Sequence, residues 1–193
     1  MKKSVQKVGM EQLRSCHGQG TSAEELQDSQ ISEVVIKKAQ AGDLPRILEI
    51  YDYARGFMER TGNASQWGKH FPPEELLRED IRAQRLFVIE EDGAVHGVFA
   101  FIIGDDPTYQ TIEQGSWLAG GAYGTIHRIA GDGQVHGLLR RAVDFGWERI
   151  PHLRIDTHEN NRVMQYLIEK CGFSYCGVIH VDDGSPRLAY ERV

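Results

Sequence analysis

A glycine-rich segment in the second half of the chain has the residue types and spacing of a phosphate-binding loop. The segment GDGQVHG, residues 131–137, follows the apolar run YGTIHRIA and precedes LLRRAVDFGWERI, which has the periodicity of an amphipathic helix. A loop that opens a helix leaves unpaired backbone N–H groups near the positive end of the helix dipole, where a phosphate binds. The sequence therefore predicts a strand, a phosphate loop and a helix in this order.

The remaining elements must hold this loop in place. Asp43 is expected to cap a first helix, and Pro72 stands just before a second one. Asp92-Gly93 between two apolar runs predicts a hairpin, and Gly172 is expected to end the last helix. The predicted order is β, α, α, β, β, β, α, β, α, β, β. This order indicates an α/β fold with antiparallel pairs at both ends of one parallel crossover.

Composition limits the classes of partner. The 22 basic and 28 acidic residues give a net charge of -6, and the basic residues are scattered, which argues against nucleic acid or an anionic membrane as a partner. No apolar run approaches the roughly 18 residues of a membrane span, and the basic N-terminus lacks the apolar stretch of a signal peptide. A cytoplasmic protein is therefore expected. Cys16, Cys171 and Cys176 show no CxxC spacing, so we expect free thiols and no metal site.

The chain divides near Ser32. Residues 1–32 contain no aromatic residue and many Gln, Ser, Gly and Glu, so they bury too little apolar area to offset the entropy of ordering. They are predicted to form a flexible or partner-docked extension. Residues 33–193 are predicted to form the single folded domain.

The glycine-rich loop resembles a motif of the GCN5-related N-acetyltransferase (GNAT) family. That family's loop reads Q/R-x-x-G-x-G/A, and two registers are open. The first, over residues 128–133, matches all three motif positions. In the second, Gln134 and Gly137 match, whereas Leu139 stands where glycine or alanine is expected. We favour the second register because it places Gly137 at the start of the helix, with the apolar face of that helix buried.

A second motif of the family, N-x-x-A-x-x-L-Y-x-x-x-G-F, resembles NRVMQYLIEKCGF, residues 161–173. Asn161 matches, but Ile168 stands where the family often carries a tyrosine that protonates the leaving CoA thiolate. Isoleucine cannot donate a proton. Tyr166 lies about 200° away around the helix and does not replace it. Either another group or solvent supplies this proton, or the activity has been lost.

The resemblance covers residues 33–193 and implies an acyl-CoA N-acyltransferase fold, with a mixed, mostly antiparallel sheet of six to seven strands flanked by helices. It implies acetyl-CoA as co-substrate, no metal, and direct attack on the thioester by an amine of a small molecule or of an exposed protein or peptide segment. Because the family often pairs through sheet edges, a homodimer is a further expectation.

The resemblance also implies site residues. His127 is the expected general base, because imidazole titrates near neutral pH. A backbone N–H near Ile129 is expected to polarise the thioester carbonyl. Further contacts to the cofactor are expected from Asn161 and from the backbone amides of Gln134, Val135, His136, Gly137 and Leu138. Trp67 and Trp117 lie where the family forms its acceptor pocket, although packing in the core explains either residue as well.

Two rival interpretations stay open. The segment GDGQVHG also reads G-x-G-x-x-x-G, and Asp156 ends the next strand where a nicotinamide-dinucleotide-binding oxidoreductase places its ribose acid. Residues 158–193, however, predict one helix and a hairpin rather than further parallel strands. The second rival is an acyl-CoA-binding module that has lost its activity, which the departures at Leu139 and Ile168 motivate.

Overall fold

A seven-stranded mixed sheet organises the part of the chain described by the computed structural model, residues 34–193. The strands are β1 (Val34–Lys38), β2 (Leu86–Glu91), β3 (Ala94–Ile103), β4 (Gly124–Gly131), β5 (Leu153–Thr157), β6 (Ser174–His180) and β7 (Pro186–Arg192). The helices are α1 (Leu44–Arg60), α2 (Glu74–Arg82), α3 (Leu138–Trp147) and α4 (Arg162–Lys170). The extension predicted over residues 1–32 lies outside the described residues.

The sheet order is β1-β2-β3-β4-β5-β7-β6, and β4 with β5 forms its one parallel pair within the described residues. This arrangement confirms the predicted order of elements and the predicted fold class. A dinucleotide-binding fold needs several adjacent parallel strands, so the sheet does not fit that rival.

The parallel pair is short, and this opens the sheet. Strands β4 and β5 pair only as Gly124 with Leu153 and Thr125 with Arg154, although both strands continue beyond these positions. Past Thr125 the two strands separate toward their C-terminal ends, where α3 and α4 begin. The separation leaves a gap in the middle of the sheet.

Apolar residues fill both faces of the sheet. Along β2, Phe87 and Ile89 belong to the cluster that packs against α3 and α4, whereas Leu86 and Val88 belong to the cluster that packs against α1 and α2. Successive strand residues point to opposite faces, so a continuous apolar run indicates a strand that is covered on both sides. The helices therefore cover both faces of the sheet, α3 and α4 on one face and α1 and α2 on the other.

Local turn chemistry sets several element ends. Asp92 and Gly93 have φ values of 51° and 81°, the left-handed conformations that a two-residue hairpin turn requires. Gly172, with φ of 88°, follows the end of α4 as predicted. The prediction for Asp43 was wrong in detail, because its carboxylate accepts from the Gln40 amide at 2.8 Å. It therefore closes the short 3-10 turn before α1 rather than capping α1.

Cys171 and Cys176 are buried free thiols. Among residues 34–193, no helix has the length and apolar character needed to cross a membrane. The same residues hold no group of three or more His, Cys, Asp and Glu side chains placed to bind a metal ion.

Candidate functional site

A β-bulge in β4 shapes the centre of the candidate site. Strand β3 pairs Val98 with Ala130 and Ala100 with His127, so that two residues of β4 lie opposite one residue of β3. Arg128, the first of these two, has φ of 53°, a left-handed conformation that strains a residue with a Cβ. The bulge bends β4 at the level where it separates from β5.

Side chains from two helices hold this bulge. The Tyr51 hydroxyl of α1 donates to the Arg128 carbonyl at 2.8 Å, and the Arg128 guanidinium donates to Asp80 of α2 at 2.5 Å. Asp80 is fully buried and also accepts from Arg85 at 2.5 Å. Burial raises the pKa of Tyr51, so its phenol stays protonated. Such contacts offset the local strain and give the bulge one geometry.

A cleft of about 740 Å³ begins at the gap between β4 and β5, a volume in the range of small-molecule sites. The two strands and the start of α4 contribute the walls, and the α1–α2 segment, residues 61–73, contributes to one side. The residues that matter most for chemistry in this cleft are His127, Ile129, Asp156, Asn161, Asp106 and Arg187.

His127 forms a pair with Asp106 in the cleft wall. The Nε2 atom of His127 lies 2.9 Å from Oδ2 of Asp106, and both side chains are mostly buried. Burial would raise the pKa of Asp106, but hydrogen bonds from His127 and Thr108 outweigh it and lower the pKa to about 2. Asp106 is therefore a carboxylate that accepts from Nε2–H, which leaves Nδ1 as the basic nitrogen of a neutral ring.

Sequence reasoning did not identify Asp106. It lies before Pro107, and its carboxylate accepts from the amide and hydroxyl of Thr108 at 2.9 and 2.7 Å. Such an Asp-Pro-Thr turn is visible in the sequence. Only the sheet, however, brings this turn beside His127, 21 residues further along the chain.

A second carboxylate of the cleft is held by a tyrosine. The Tyr109 hydroxyl donates to Asp156 at 2.7 Å, and Tyr109 is almost completely buried. Burial, followed by the charge of Asp156, raises the pKa of Tyr109 well above its usual value. Tyr109 thus remains a neutral donor, and Asp156 adds negative charge to the cleft.

The glycine-rich loop presents free donors where they were predicted. Helix α3 begins at Leu138, directly after Gly137, as the second motif register requires. Among the described residues, the amides of 135–138 have no acceptor, whereas the Gln134 amide donates to Asp132 at 2.9 Å. A Cβ atom at Gly137 would meet no atom within 4 Å, so space is open there. The loop therefore fits a phosphate group.

Leu139, the departure from the loop motif, is buried against the core beneath α3. The loop is anchored from below by Asp132, whose carboxylate accepts from Arg46 at 2.5 Å and from His96 at 2.8 Å. Burial opposes ionisation of Asp132, but the Gln134 amide, His96 and Arg46 outweigh it and lower the pKa of this carboxyl. This anchor was not apparent in the sequence.

Asn161 joins α4 to the α1–α2 segment. Its side-chain oxygen accepts from the Met164 amide at 3.1 Å, which caps α4, and its amide nitrogen donates to Gln66 at 3.0 Å. Asn161 lines the cleft and keeps one amide N–H for a ligand. Its contact with a cofactor stays a prediction.

Neither Ile168 nor Tyr166 offers a proton donor to the cleft. Ile168 is fully buried in the core cluster between the sheet and α4. Tyr166 is 59% exposed, and its ring lies near the Lys170 ammonium at 5.4 Å. The tyrosine that the family places on this helix has no counterpart at either position.

The two tryptophans lie in different places. Trp67 lines the cleft and also packs edge-on against Tyr51, with ring centroids 5.7 Å apart. Trp117 is not among the residues that line the cleft: its indole N–H donates to the Tyr109 carbonyl at 3.0 Å, and Arg154 lies over its ring. The structure therefore brings Trp67 to the cleft and places Trp117 in the supporting layer.

Comparison with known proteins found similarity among solved structures. The chain is 32% identical to an acetyltransferase of the GNAT family from Streptococcus agalactiae, with a TM-score of 0.76, over 83% of this chain and 95% of that chain. A GNAT-family acetyltransferase from Listeria monocytogenes has a TM-score of 0.62 at 17% identity, over 82% of this chain and 94% of that one. No protein-family profile and no curated protein sequence matches the chain.

A third structure shares the fold and was solved with a ligand. It is a candidate acetyltransferase from Salmonella typhimurium with its cofactor acetyl-CoA, 16% identical, with a TM-score of 0.52, over 82% of this chain and 92% of that chain. At this identity the likeness shows the fold alone.

Proposed function

Because the chain belongs to the GCN5-related N-acetyltransferase family, we propose that it transfers an acetyl group from acetyl-CoA to the amine of a small molecule or of an exposed protein or peptide segment. The observation that carries this proposal is that β4 brings two features together. The free backbone amides of residues 135–138 follow the C-terminal end of β4, and His127 of the same strand forms its pair with Asp106 in the wall of the cleft.

The residues present fit an acyl-CoA. The amides of 135–138 and the positive end of the α3 dipole would hold its phosphates. The gap between β4 and β5 has room for an extended chain, and Ile129 of the bulge lines it. Acetyl-CoA supplies the activated acetyl group as a thioester. The backbone around Ile129 would orient the carbonyl of that thioester.

His127 is the proposed general base. An amine that arrives as an ammonium ion must lose a proton before it attacks, and Nδ1 of His127 accepts it. The amine nitrogen then forms a bond to the acetyl carbon while the carbon–sulfur bond breaks. Asp106 holds the ring in the required tautomer and stabilises the imidazolium that forms.

The thiolate that leaves must be protonated to give CoA. At the motif position helix α4 carries Ile168, which has no proton to donate, and Tyr166 faces outward, so we assign the proton to solvent that enters the cleft. The departure at Ile168 is thus compatible with activity, since a thiolate is a good leaving group at neutral pH.

The charge of the cleft suits an amine. Asp106, Asp156, Asp182 and Asp183 line it and would attract an ammonium ion. Location in the cytoplasm, a homodimeric state, and the absence of nucleic-acid and membrane partners stay predictions.

Thermal unfolding with acetyl-CoA, CoA, NADH or NADPH in separate samples tests the proposal. A ligand at 100 times its dissociation constant adds about 2.7 kcal/mol of stability, which is visible for one domain. We expect stabilisation by acetyl-CoA and CoA only, followed by amine-dependent release of thiol. Stabilisation without thiol release from any amine would instead favour an acyl-CoA-binding module.

A further inference from the structure

Arg187, at the start of β7, places a buried positive charge in the cleft. It is 8% exposed and lines the cleft at the end that β7 and the β6–β7 turn provide. A guanidinium remains charged at any pH that a protein tolerates, and burying a charge without a counter-charge is costly.

The bonds of Arg187 all go to neutral oxygens. It donates to the Ser185 hydroxyl and the Pro186 carbonyl at 2.9 Å each, and to the Gln66 carbonyl at 3.5 Å. These bonds leave some of its N–H donors unused. Within the described residues, no carboxylate oxygen lies within 4.0 Å of its nitrogens.

The other arginines of the cleft differ in this respect. Arg85 and Arg128 also line it, both form ion pairs with Asp80 at 2.5 Å, and Arg85 forms a second pair with Glu79 at 3.1 Å. Their charges are thereby compensated inside the protein. Arg187 is the cleft arginine that has no direct ion pair among the described residues, which is the arrangement expected of a group that binds an anionic ligand.

Acidic groups near Arg187 do not replace a ligand. Asp182 and Asp183 line the same part of the cleft, but Asp183 is directed to Ser185, whose amide it accepts from at 2.8 Å and whose hydroxyl it accepts from at 2.5 Å. Hydrogen bonds from Ser185, followed by the charge of Arg187, lower the pKa of Asp183, so this carboxylate acts on Arg187 only at a distance and through Ser185. Burial, followed by the charge of Arg187, lowers the pKa of His158.

The face of the sheet on which Arg187 lies indicates that it contacts the acceptor rather than the phosphates of the cofactor. Asp156 pairs with Ala189 across β5 and β7, so Asp156, Ala189 and Arg187 share one face of the sheet. Asp156 is bonded to Tyr109, whose ring centroid lies 5.9 Å from that of His127. Helices α3 and α4 pack against the opposite face.

We propose that Arg187 binds a carboxylate of the acceptor, which is therefore a small amine that carries a carboxylate, such as an amino acid or a short peptide. This inference rests on the proposed function. Strands β4 and β7 lie on either side of β5, and β4 has already separated from β5 at His127, so the base and the arginine are more than two strand spacings, or about 10 Å, apart. An acceptor bound between the two side chains would bridge this distance. Arginine binds a carboxylate through two parallel bonds, which would also orient the amine toward His127.

Matched acceptors test this assignment. Amino acids and dipeptides are compared with their C-terminal amides and with polyamines, and acetylated products are identified by mass spectrometry. The variants are Arg187→Gln, Arg187→Lys and, as a control for the same change at an exposed site, Arg82→Gln, which is on α2.

We expect carboxylate-bearing amines to be acetylated with kcat/KM about tenfold to a hundredfold above their amides. Arg187→Gln removes this preference by raising KM for the acids toward that for the amides, and it preserves the stabilisation by acetyl-CoA. Arg187→Lys retains part of the preference, and Arg82→Gln retains all of it. Equal rates for acids and amides, a preference that survives in Arg187→Gln, or acetylation of polyamines alone would overturn the assignment.

A binding measurement separates this inference from the proposed function. Thermal unfolding of wild type and Arg187→Gln is followed with each amino acid, each N-acetyl amino acid and each amide, without a cofactor. We expect stabilisation by at least one carboxylate-bearing compound in the wild type only. If acetyl-CoA does not bind, the proposed function fails, and this binding difference still decides the role of Arg187. Absence of the difference overturns it.

Discussion

The Nε2 atom of His127 and the Oδ2 atom of Asp106 lie 2.9 Å apart, in the wall of a cleft that opens where β4 and β5 separate. The carboxylate fixes which ring nitrogen is protonated, so the relationship defines both the orientation of the imidazole and its basic atom. The same pair should affect both the rate of acetyl transfer and the stability of the domain in acid. These two effects can be measured independently.

Replacing His127 with alanine should lower kcat/KM by about a hundredfold or more at neutral pH, the range typical of a lost general base. The residual rate should rise with pH, because the amine must then lose its proton to solvent. Initial rates of thiol release from pH 6 to 9 measure this. Turnover that equals wild type across the range would remove His127 from the mechanism.

Asp106→Asn should lower kcat/KM less than His127→Ala, because the base remains but its tautomer is no longer imposed. Asp105→Asn is the matched control, since the neighbouring carboxylate is exposed and is not among the residues that line the cleft. Rates equal to wild type in Asp106→Asn would show that the pair does not orient the base.

The acid stability of the domain should depend on Asp106. Its pKa lies near 2 in the folded protein, below the usual 3.8, so ionised Asp106 stabilises the fold above pH 4. This contribution decreases as pH falls from about 4 to about 2. The difference in unfolding free energy between wild type and Asp106→Asn, from urea titrations, should therefore shrink over that interval. A difference that is constant with pH would contradict the lowered pKa.

Gly137→Glu should weaken acetyl-CoA binding at least tenfold, because a carboxylate would enter the space open above the start of α3. Gly93→Glu controls for the backbone, since Gly93 also has a positive φ and open surroundings but lies in the β2–β3 hairpin. Calorimetric titration of both variants gives the dissociation constants. Unchanged affinity in Gly137→Glu would place the phosphates elsewhere.

Ile168→Tyr, which introduces the family's tyrosine, should destabilise the domain by about 1–3 kcal/mol and should not raise kcat. Ile168 is fully buried in a close-packed cluster, so the larger ring has no room without displacing its neighbours. Ile168→Val serves as the comparison and should cost about 1 kcal/mol. A variant with higher turnover would mean that the tyrosine does reach the leaving thiolate.

Much of the fold could be predicted from the sequence because its signals are local. The alternation of apolar residues, the Asp92-Gly93 turn and the glycine after α4 each act over a few residues, and together they indicated all eleven strands and helices in the correct order. The loop was likewise identified, since Gly137 stands directly before the first residue of α3. The one detailed error, at Asp43, concerned which of two adjacent turns its carboxylate closes.

Tertiary structure alone decided which side chains meet in the cleft. His127 was a candidate by residue type, but its partner Asp106 comes from a turn in another part of the chain, and the bulge at Arg128 depends on Tyr51 and Asp80 from two helices. Trp67 and Trp117 could not be distinguished by sequence, and only the tertiary structure placed one in the cleft and one behind it. The sequence determined the elements because their formation is governed by neighbouring residues. The site required the fold, because long-range pairing of β4, β5 and β7 sets which charges face one another.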